Sequence, residues 1–494
     1  MELTADKNSI EKLINQGFKY HQDGLLDDAE SMYMEALKLD NNNAQLYNLI
    51  GVLRFQKFDI DAAIDYIQKA ISISKSEYYY ESLFQVLIRK EDYELILSYE
   101  KEVSILYPKS FTLLFNLGYA YKKLGNFECA LKYYEKALYV NPTSYEGWYN
   151  LANLYGIMSR TTEAVSAMEI CHKLRPNDDD TSYYLAIDYF RTKNYAKGLP
   201  LFENRLSKKF AFTSYNKTMP QIIREDNFWK GEKIKDKNIF IYYEAGYGDV
   251  IMFARYLPLV AKKCKKLTLM CHKELIPLFK QNPHLGIDEF QDSFTQNNLE
   301  ADVHAPILSL PYLLGLKGND IFTSSEGYIV SDESMVEEYR KKYFNNDKIK
   351  VGIKWRGNTT LEKSRVIPAE LFNQLIQKRD DTQFYSFQTL EGSEDTSKLE
   401  NIIDIGKDLS DFSQTAAALK NLDIVICNDT SLAHLAGAMR IPCWVMLPYD
   451  SDWRWHNDFS KCDWYESVKL FRQKEIGNWQ SAFNQILDEM SSDN

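Results

Sequence analysis

Apolar positions along the first two hundred residues recur at helical spacing, and the helical stretches themselves recur. A separation of 34 residues divides Gly17 from Gly51, Ala29 from Ala63 and Ala36 from Ala70. The register returns at Gly118, Ala130, Ala137 and Pro142, and 34 positions later at Ala152, Ala164, Cys171 and Pro176. Small residues at these offsets let the two helices of a hairpin approach closely. Tyr20, Tyr33, Tyr121, Tyr134, Trp148 and Tyr155 are expected to fill the space between hairpins. The stretch 75–110 keeps the helical period without the small residues and reads as a degenerate third unit. A sixth, weaker unit runs from about Asp180 to Leu206.

The segment running from Gly118 through Tyr-Ala-Tyr-Lys-Lys-Leu-Gly-Asn-Phe-Glu-Cys-Ala-Leu-Lys-Tyr-Tyr-Glu-Lys to Ala137 carries the core of a tetratricopeptide unit. Such an array stacks into a superhelix with a concave binding face, so it is expected to bind a partner and not to catalyse. For any single tyrosine in it, packing is the better reading.

The pattern changes after residue 206. The segment 207–231, which includes Pro220, reads as a linker. Beyond it, short apolar runs alternate with amphipathic stretches, the mark of α/β layering on a parallel sheet. Asn238–Tyr243 is predicted to be a buried strand, followed at once by Glu244-Ala-Gly-Tyr-Gly-Asp249 and a helical face of Ile251, Ala254, Leu257 and Ala261. A second such region begins at Lys350–Trp355 and continues through strands near Phe384–Phe387, Asp423–Cys427 and Cys443–Met446. The charged helical stretch 332–350 connects the two. The expected fold class is multidomain, α followed by α/β. Residues 1–206 form the repeat array, and 232–345 and 346–494 form two Rossmann-like domains facing a cleft.

Composition narrows the function. Hydrophobic residues at 45% and charged residues at 26% suit a soluble globular protein, and a net charge of -11 argues against a general nucleic-acid or membrane-surface binder. The start Met1-Glu-Leu-Thr-Ala-Asp-Lys lacks a signal-peptide pattern, and no apolar run approaches the roughly 20 residues of a membrane span. Seven cysteines without a C-x-x-C pair read as reduced thiols, so the expected location is the cytoplasm. No His/Cys/Asp cluster has metal-ligand spacing, so no tightly bound metal is expected.

Three turns could carry chemistry. In Gly246-Tyr-Gly248-Asp249, two glycines between strand and helix permit a tight turn with backbone near a ligand. Asp249 fits either a general base or a helix cap. Asn428-Asp429-Thr430-Ser431 follows a buried strand and opens the helix Leu432–Met439, whose free N–H groups would suit an anion. Capping is again the alternative, and His434 fits a ligand contact or a satisfied core histidine. At Lys354-Trp-Arg356-Gly-Asn358, a lysine and an arginine at a strand end would neutralise a departing diphosphate, with Lys363 and Arg365 close by in sequence. The default for each alone is a solvated surface charge.

These sites, in this order, resemble the bacterial tetratricopeptide-repeat glycosyltransferases, whose catalytic half is similar to heptosyltransferases and more remotely to O-linked N-acetylglucosamine transferases. The resemblance covers nearly the whole chain. Its most specific stretches are Glu244–Pro258, Asp429–Ala438 and Leu447-Pro-Tyr-Asp-Ser-Asp-Trp-Arg-Trp455, with a looser match at Trp464-Tyr465, Leu470-Phe-Arg-Gln473 and Trp479. It implies a glycosyltransferase-B fold and metal-independent, inverting transfer. A nucleotide sugar would enter as substrate, with no cofactor. It places the base on Asp249 and donor binding on Asp429, Thr430, Ser431 and His434, and sets His304 near the cleft. One departure is Arg356, where the family often has a small apolar residue. The acceptor expected is a protein or peptide held by the repeats. A surface polysaccharide or lipid-linked glycan, and an inactive scaffold, are the competing readings.

Overall fold

The structure is a computed structural model that describes residues 2–207, 227–293, 301–322, 327–357, 363–389, 391–456 and 461–492, without the side chains of residues 2–6, 363 and 492. It divides into two compact units, Met1–Arg175 and Pro176–Asn494.

The first unit is a run of helical pairs: Glu2–Gln22 with Leu26–Leu39, Ala44–Gln56 with Ile60–Ile73, Phe111–Lys123 with Phe127–Val140, and Tyr145–Ile157 with Thr161–Leu174. The repeated small residues sit where the paired helices touch. A Cβ on Gly51 would stand 2.5 Å from Ile67 Cγ1, and one on Gly118 would stand 2.8 Å from the Tyr134 ring. Side-chain caps start the helices: Asn43 accepts from the Leu46 N–H, Ser110 from Leu113 and Asn126 from Cys129. In the third pair Gln85 stands at the glycine offset and is exposed, and the second helix is broken at Tyr99 into Tyr93–Ser98 and Glu100–Leu106. There the fully buried Tyr80 packs against the Tyr99 and Tyr107 rings, each 5.9 Å away.

The second unit opens with a sixth pair, Asp179–Arg191 and Tyr195–Phe202. Its turn residue Lys193 has φ +60°, the left-handed conformation also taken in the first unit by Gly24, Phe58, Glu91, Gly125 and Ser159. The same turn therefore closes all six pairs, although only two of the six turn residues are glycine.

Two parallel sheets follow. The first has the order β3-β2-β1-β4, formed by β1 (Ile234–Tyr242), β2 (Cys264–Met270), β3 (Glu289–Gln291) and β4 (Val303–Pro306). The second has the order β10-β9-β8-β5-β6-β7, formed by β5 (Ile349–Lys354), β6 (Thr382–Ser386), β7 (Ile402–Asp404), β8 (Ile424–Asn428), β9 (Cys443–Leu447) and β10 (Val468–Arg472). The second order is that of a doubly wound dinucleotide fold, and the first is its opening portion. Central strands such as β8 are apolar and buried along most of their length, as parallel strands covered on both faces must be. In each sheet the chain leaves one side and returns on the other, between β1 and β4 and between β5 and β8. Ligands of open α/β sheets bind beyond the carboxyl ends of strands at such switch points.

One hydrophobic core joins Phe190 and Phe202 of the sixth pair to Ile241 and Val250 of the first half and Leu435 and Val445 of the second. No helix among the described residues is long and apolar enough to cross a membrane.

Candidate functional site

The turn after β1 and the turn after β8 meet. Helix Tyr247–Phe253 packs on helix Ser431–Ala438, and Gly248 makes the approach possible: a Cβ there would stand 2.7 Å from His434 Cδ2. The turn after β5 joins them from the same sheet as β8, since a Cβ on Gly357 would stand 2.9 Å from Thr430 Cγ2. The sequence places Gly246, Gly248, Asp249, Thr430, Ser431 and His434 on separate segments, and the fold brings these segments together.

Asp249 occupies the first turn of its helix and does two things at once. Its Oδ2 accepts from the Gly246 N–H at 3.0 Å, and its Oδ1 ion-pairs with Arg454. Arg454 also pairs with Asp452, Nη1 to Oδ1 at 2.7 Å, and lies 4.6 Å over the Trp453 ring. Arg365 continues the line, 3.8 Å from Asp452 and 3.0 Å from Asp429. Three carboxylates and two guanidiniums thus alternate in the order Asp249, Arg454, Asp452, Arg365, Asp429. Asp249 retains 20% exposure and Arg454 13%, whereas Asp429 retains 5%.

Burial sets the charge states. It pushes the Asp429 carboxyl up to about 6 against the opposing pull of Arg365. Burial pushes Asp452 the same way, but Arg454 and Arg365 together outweigh it and hold that carboxyl below its ordinary value. His434 is driven down to about 3 by burial and then by Arg454, so its imidazole is neutral near pH 7. Its Nδ1 hydrogen-bonds the Tyr465 hydroxyl at 3.1 Å, and its ring stacks on Trp455 at 5.1 Å. Arg255 secures this corner by donating to the Trp464 carbonyl at 3.2 Å and lying 4.9 Å over Tyr465.

Thr430 is the N-cap of its helix and makes no side-chain cap; its hydroxyl donates instead to the Asn428 carbonyl at 3.4 Å. The opening N–H groups of that helix therefore keep their capacity for an anion. Asn428 Oδ1 and Arg454 Nε are buried and have no hydrogen-bond partner.

The strand-end cations behave differently from these. Lys354 is buried and donates to the Phe387 carbonyl at 3.1 Å, with the Thr389 hydroxyl at 3.5 Å, and burial lowers its ammonium to about 8. Arg356 turns toward Glu394 and Asp395, at 3.6 and 3.9 Å. Gln388 fixes the turn that bears them, accepting from the Trp355 and Arg356 N–H groups at 3.3 and 3.1 Å. Asn358 lies outside the described residues, as does the Lys363 side chain. His304 sits within β4, buried between the Phe228 and Tyr242 rings at 5.7 and 5.8 Å, in register with Phe240.

Several participants were not singled out as site residues by the sequence, although the stretch 447–455 that carries Asp452 and Arg454 is part of the resemblance. Arg454 and Asp452 sit in a loop after β9, and Arg205 sits at the end of the sixth helical pair. Arg205 grips Glu244, just before the glycine turn, through Nη2 at 2.5 Å and Nε at 3.2 Å, and also binds Ser309 Oγ at 2.8 Å. The loop 450–456 is clamped from two sides. Arg191 donates to Asp450 at 3.0 Å, Tyr195 hydrogen-bonds His456 at 2.5 Å, Phe190 packs 4.7 Å from Trp453, and Arg472 donates to the His456 carbonyl at 2.6 Å. Tyr183 of the same helical pair lies in the fields of Arg454, Asp452, Arg205 and Asp249.

Family models of the tetratricopeptide repeat match residues 44–77, 112–144 and 133–166. The chain is similar to the tetratricopeptide repeat-containing protein trd-1 of Caenorhabditis elegans, 27% identical over 138 residues, which are 28% of this chain and 17% of that protein. It is also similar to Protein FlbA of Caulobacter vibrioides, 23% identical over 290 residues, which are 52% of this chain and 47% of that protein. The chain spans less than half the length of the curated relatives it matches. Among solved structures, PilF of Pseudomonas aeruginosa is 17% identical with a TM-score of 0.37, over 42% of this chain and 95% of its own. A glycosyl transferase family 9 protein from Veillonella parvula is 14% identical with a TM-score of 0.42, over 53% of this chain and 98% of its own.

Proposed function

We propose that the protein is a glycosyltransferase that moves a sugar from a nucleotide-sugar donor to an acceptor hydroxyl, and that its tetratricopeptide repeats recruit a protein acceptor. The observation that carries this reading is the meeting of two switch-point turns. A partly exposed carboxylate from one half, Asp249, is ion-paired to Arg454 of the other, whose chain of charges runs on through Asp452 and Arg365 to Asp429, just before an uncapped helix start.

The chemistry that fits is direct displacement. Asp249 takes the proton from the acceptor hydroxyl as that oxygen attacks the anomeric carbon. The bond from that carbon to the donor phosphate breaks, its electron pair goes to the phosphate oxygen, and configuration inverts. Arg365, Arg454 and the N–H groups after Thr430 meet the charge that develops on the leaving diphosphate. Lys354 and Gln388 hold the strand-end turn beside it. His434, neutral, offers a hydrogen bond without adding charge. The repeats support the recruitment half of the reading, because stacked helical pairs expose extended surfaces suited to protein partners.

Calorimetric titration of the full chain with UDP, GDP, ADP and CMP, without added metal, tests the donor side. One nucleotide should saturate, and Arg365→Ala should weaken it about tenfold or more. With the matching nucleotide sugar, Asp249→Asn should retain binding and lose about 100-fold or more in turnover. Binding of none of the four nucleotides would overturn the transferase reading.

A further inference from the structure

Arg454 connects the two chemical roles of the site. The same guanidinium whose charge reaches His434, on the helix that Thr430 opens, is ion-paired to the residue assigned as base. Asp249 cannot hold that pair and also receive an acceptor proton on the same oxygen, because Arg454 occupies its Oδ1. The guanidinium is built to change partners. It pairs with two carboxylates, Asp249 and Asp452, its Nε is buried without a hydrogen-bond partner, and the cation–π face of Trp453 keeps it at the junction whichever acid it serves. It arises from a short helical turn, Trp453–Trp455, whose flanks are held, by Arg191 at the Ser451 carbonyl and by Arg472 and Tyr195 at the His456 carbonyl and ring, so its side chain can swing without the loop moving.

We propose that Arg454 is a donor-operated gate: the diphosphate of the donor draws it off Asp249, so the base is released only once the donor is in place. This rests on the transferase reading above and adds an order of events to it. Phosphate oxygens compete well for a guanidinium fork, and Arg454 keeps Asp452 as a second anchor while it exchanges. When the sugar leaves, the electron pair of the broken bond comes to rest on a phosphate oxygen that Arg454 already contacts. The proton from the acceptor rests on an Asp249 carboxylate that Arg454 no longer holds. After product release Arg454 returns to Asp249, and a bound acceptor without donor meets an occupied base.

The test is a double-mutant cycle on the full chain, read with inorganic pyrophosphate by calorimetry. If Asp249 and the anion compete for one guanidinium, Asp249→Asn should tighten pyrophosphate about tenfold. Arg454→Gln should weaken it about tenfold or more, and adding Asp249→Asn to that background should restore almost nothing. Thermal unfolding of each variant checks its fold, and Arg454→Lys, which keeps the charge but loses the fork, should fall between wild type and Arg454→Gln. Equal tightening by Asp249→Asn in both backgrounds would show a simple field effect and overturn the gate. Unchanged affinity in Asp249→Asn would also overturn it, while leaving the transferase reading intact. Wild type that binds neither pyrophosphate nor any of the four nucleotides would overturn both.

Discussion

Gly248 and His434 meet where the two α/β halves approach most tightly on these helices: a Cβ on the glycine would stand 2.7 Å from His434 Cδ2. That contact is tighter than any real Cβ tolerates, and the histidine cannot retreat, being buried against Trp455 and Tyr465. Gly248→Ala should therefore push helix Tyr247–Phe253 away from helix Ser431–Ala438 and carry Asp249 with it. The expected result is a loss of about 100-fold in turnover, since a displacement of about 1 Å costs that much, with a fold weakened by about 1–3 kcal/mol. Turnover and thermal unfolding measured together would check it. An alanine variant with normal turnover would mean that Asp249 does not depend on this contact.

How much of this was legible depended on whether the residues involved are near in sequence. The array was readable because Gly17, Gly51 and Gly118 each lie where a side chain would strike the partner helix, so a single packing rule left a mark that returns at or within one residue of a 34-residue interval. The turns at Gly246–Asp249 and Asn428–Ser431 were readable because small and polar residues interrupt apolar strands there. Arg454 was not marked as a partner of Asp249, because 205 residues separate them and nothing local announces the pair. Nothing local marks Arg205 as the partner of Glu244, 39 residues away. The period of Asp179–Phe202 reports a hairpin but not which neighbour it packs on, and contacts group it with the sheets. β2 was not singled out because Lys265 and Lys266 fill its opening half and leave only Leu267–Met270 as a short apolar run.

The pair Arg205 and Glu244 makes a stability prediction. Both side chains are 5% exposed, and burial pushes the Glu244 carboxyl up in spite of the arginine. Arg205→Met would leave a buried carboxylate unpaired and should cost about 3–5 kcal/mol. Arg205→Met with Glu244→Met should recover part of that loss, because the deeper carboxylate is gone and Glu203, 18% exposed, still accepts from Ser309. Denaturant unfolding of the three variants would show it, and a double variant no more stable than the single would refute it.

Acid titration should separate Asp429 from His434. The Asp429 carboxyl, raised from 3.8 to about 6, keeps its proton in the folded chain where the unfolded chain has released it. Its contribution is fully present below about 4 and is lost as pH rises through 6. The His434 ring, lowered from 6.5 to about 3, resists a proton that the unfolded chain accepts, so its contribution is lost as pH falls from 6.5 toward 3. Between pH 4 and 6, Asp429→Asn should make the slope of unfolding free energy against pH more positive, and His434→Gln should make it less positive. Urea unfolding at three pH values in that window would measure both slopes, and identical slopes in all three proteins would contradict the assignment.

Within the first unit, two glycines should fail for different reasons. Gly51→Ala forces a Cβ to 2.5 Å from Ile67 Cγ1 and should cost about 1–3 kcal/mol by overpacking. Gly125→Ala meets nothing within 4 Å, but its φ of +77° penalises any side chain, so about 1 kcal/mol is expected. Neither should alter nucleotide affinity. A Gly51→Ala chain that unfolds like wild type would remove the close-approach explanation of the repeat.

The sixth helical pair should affect the donor side even though its sequence pattern is that of the array. Arg191 donates to Asp450 and to the Ser451 carbonyl at 3.4 Å, which tethers the loop that carries Asp452 and Arg454. It touches none of the residues assigned to the chemistry, so it is a positioning residue. Arg191→Met keeps its packing length but drops the tether, and the loop should then sample positions in which Arg454 addresses neither Asp249 nor a phosphate. Nucleoside diphosphate affinity should weaken about tenfold, and KM for the donor should rise more than kcat falls. Arg472 still holds the other end of the loop at His456, so the fold should survive, with unfolding shifted by about 1–2 kcal/mol. Phe58→Ser, at an 82% exposed turn in the first unit, is the matched control and should move neither constant. If Arg191→Met were as silent as that control, the sixth pair would be a neighbour of the site and not part of its support.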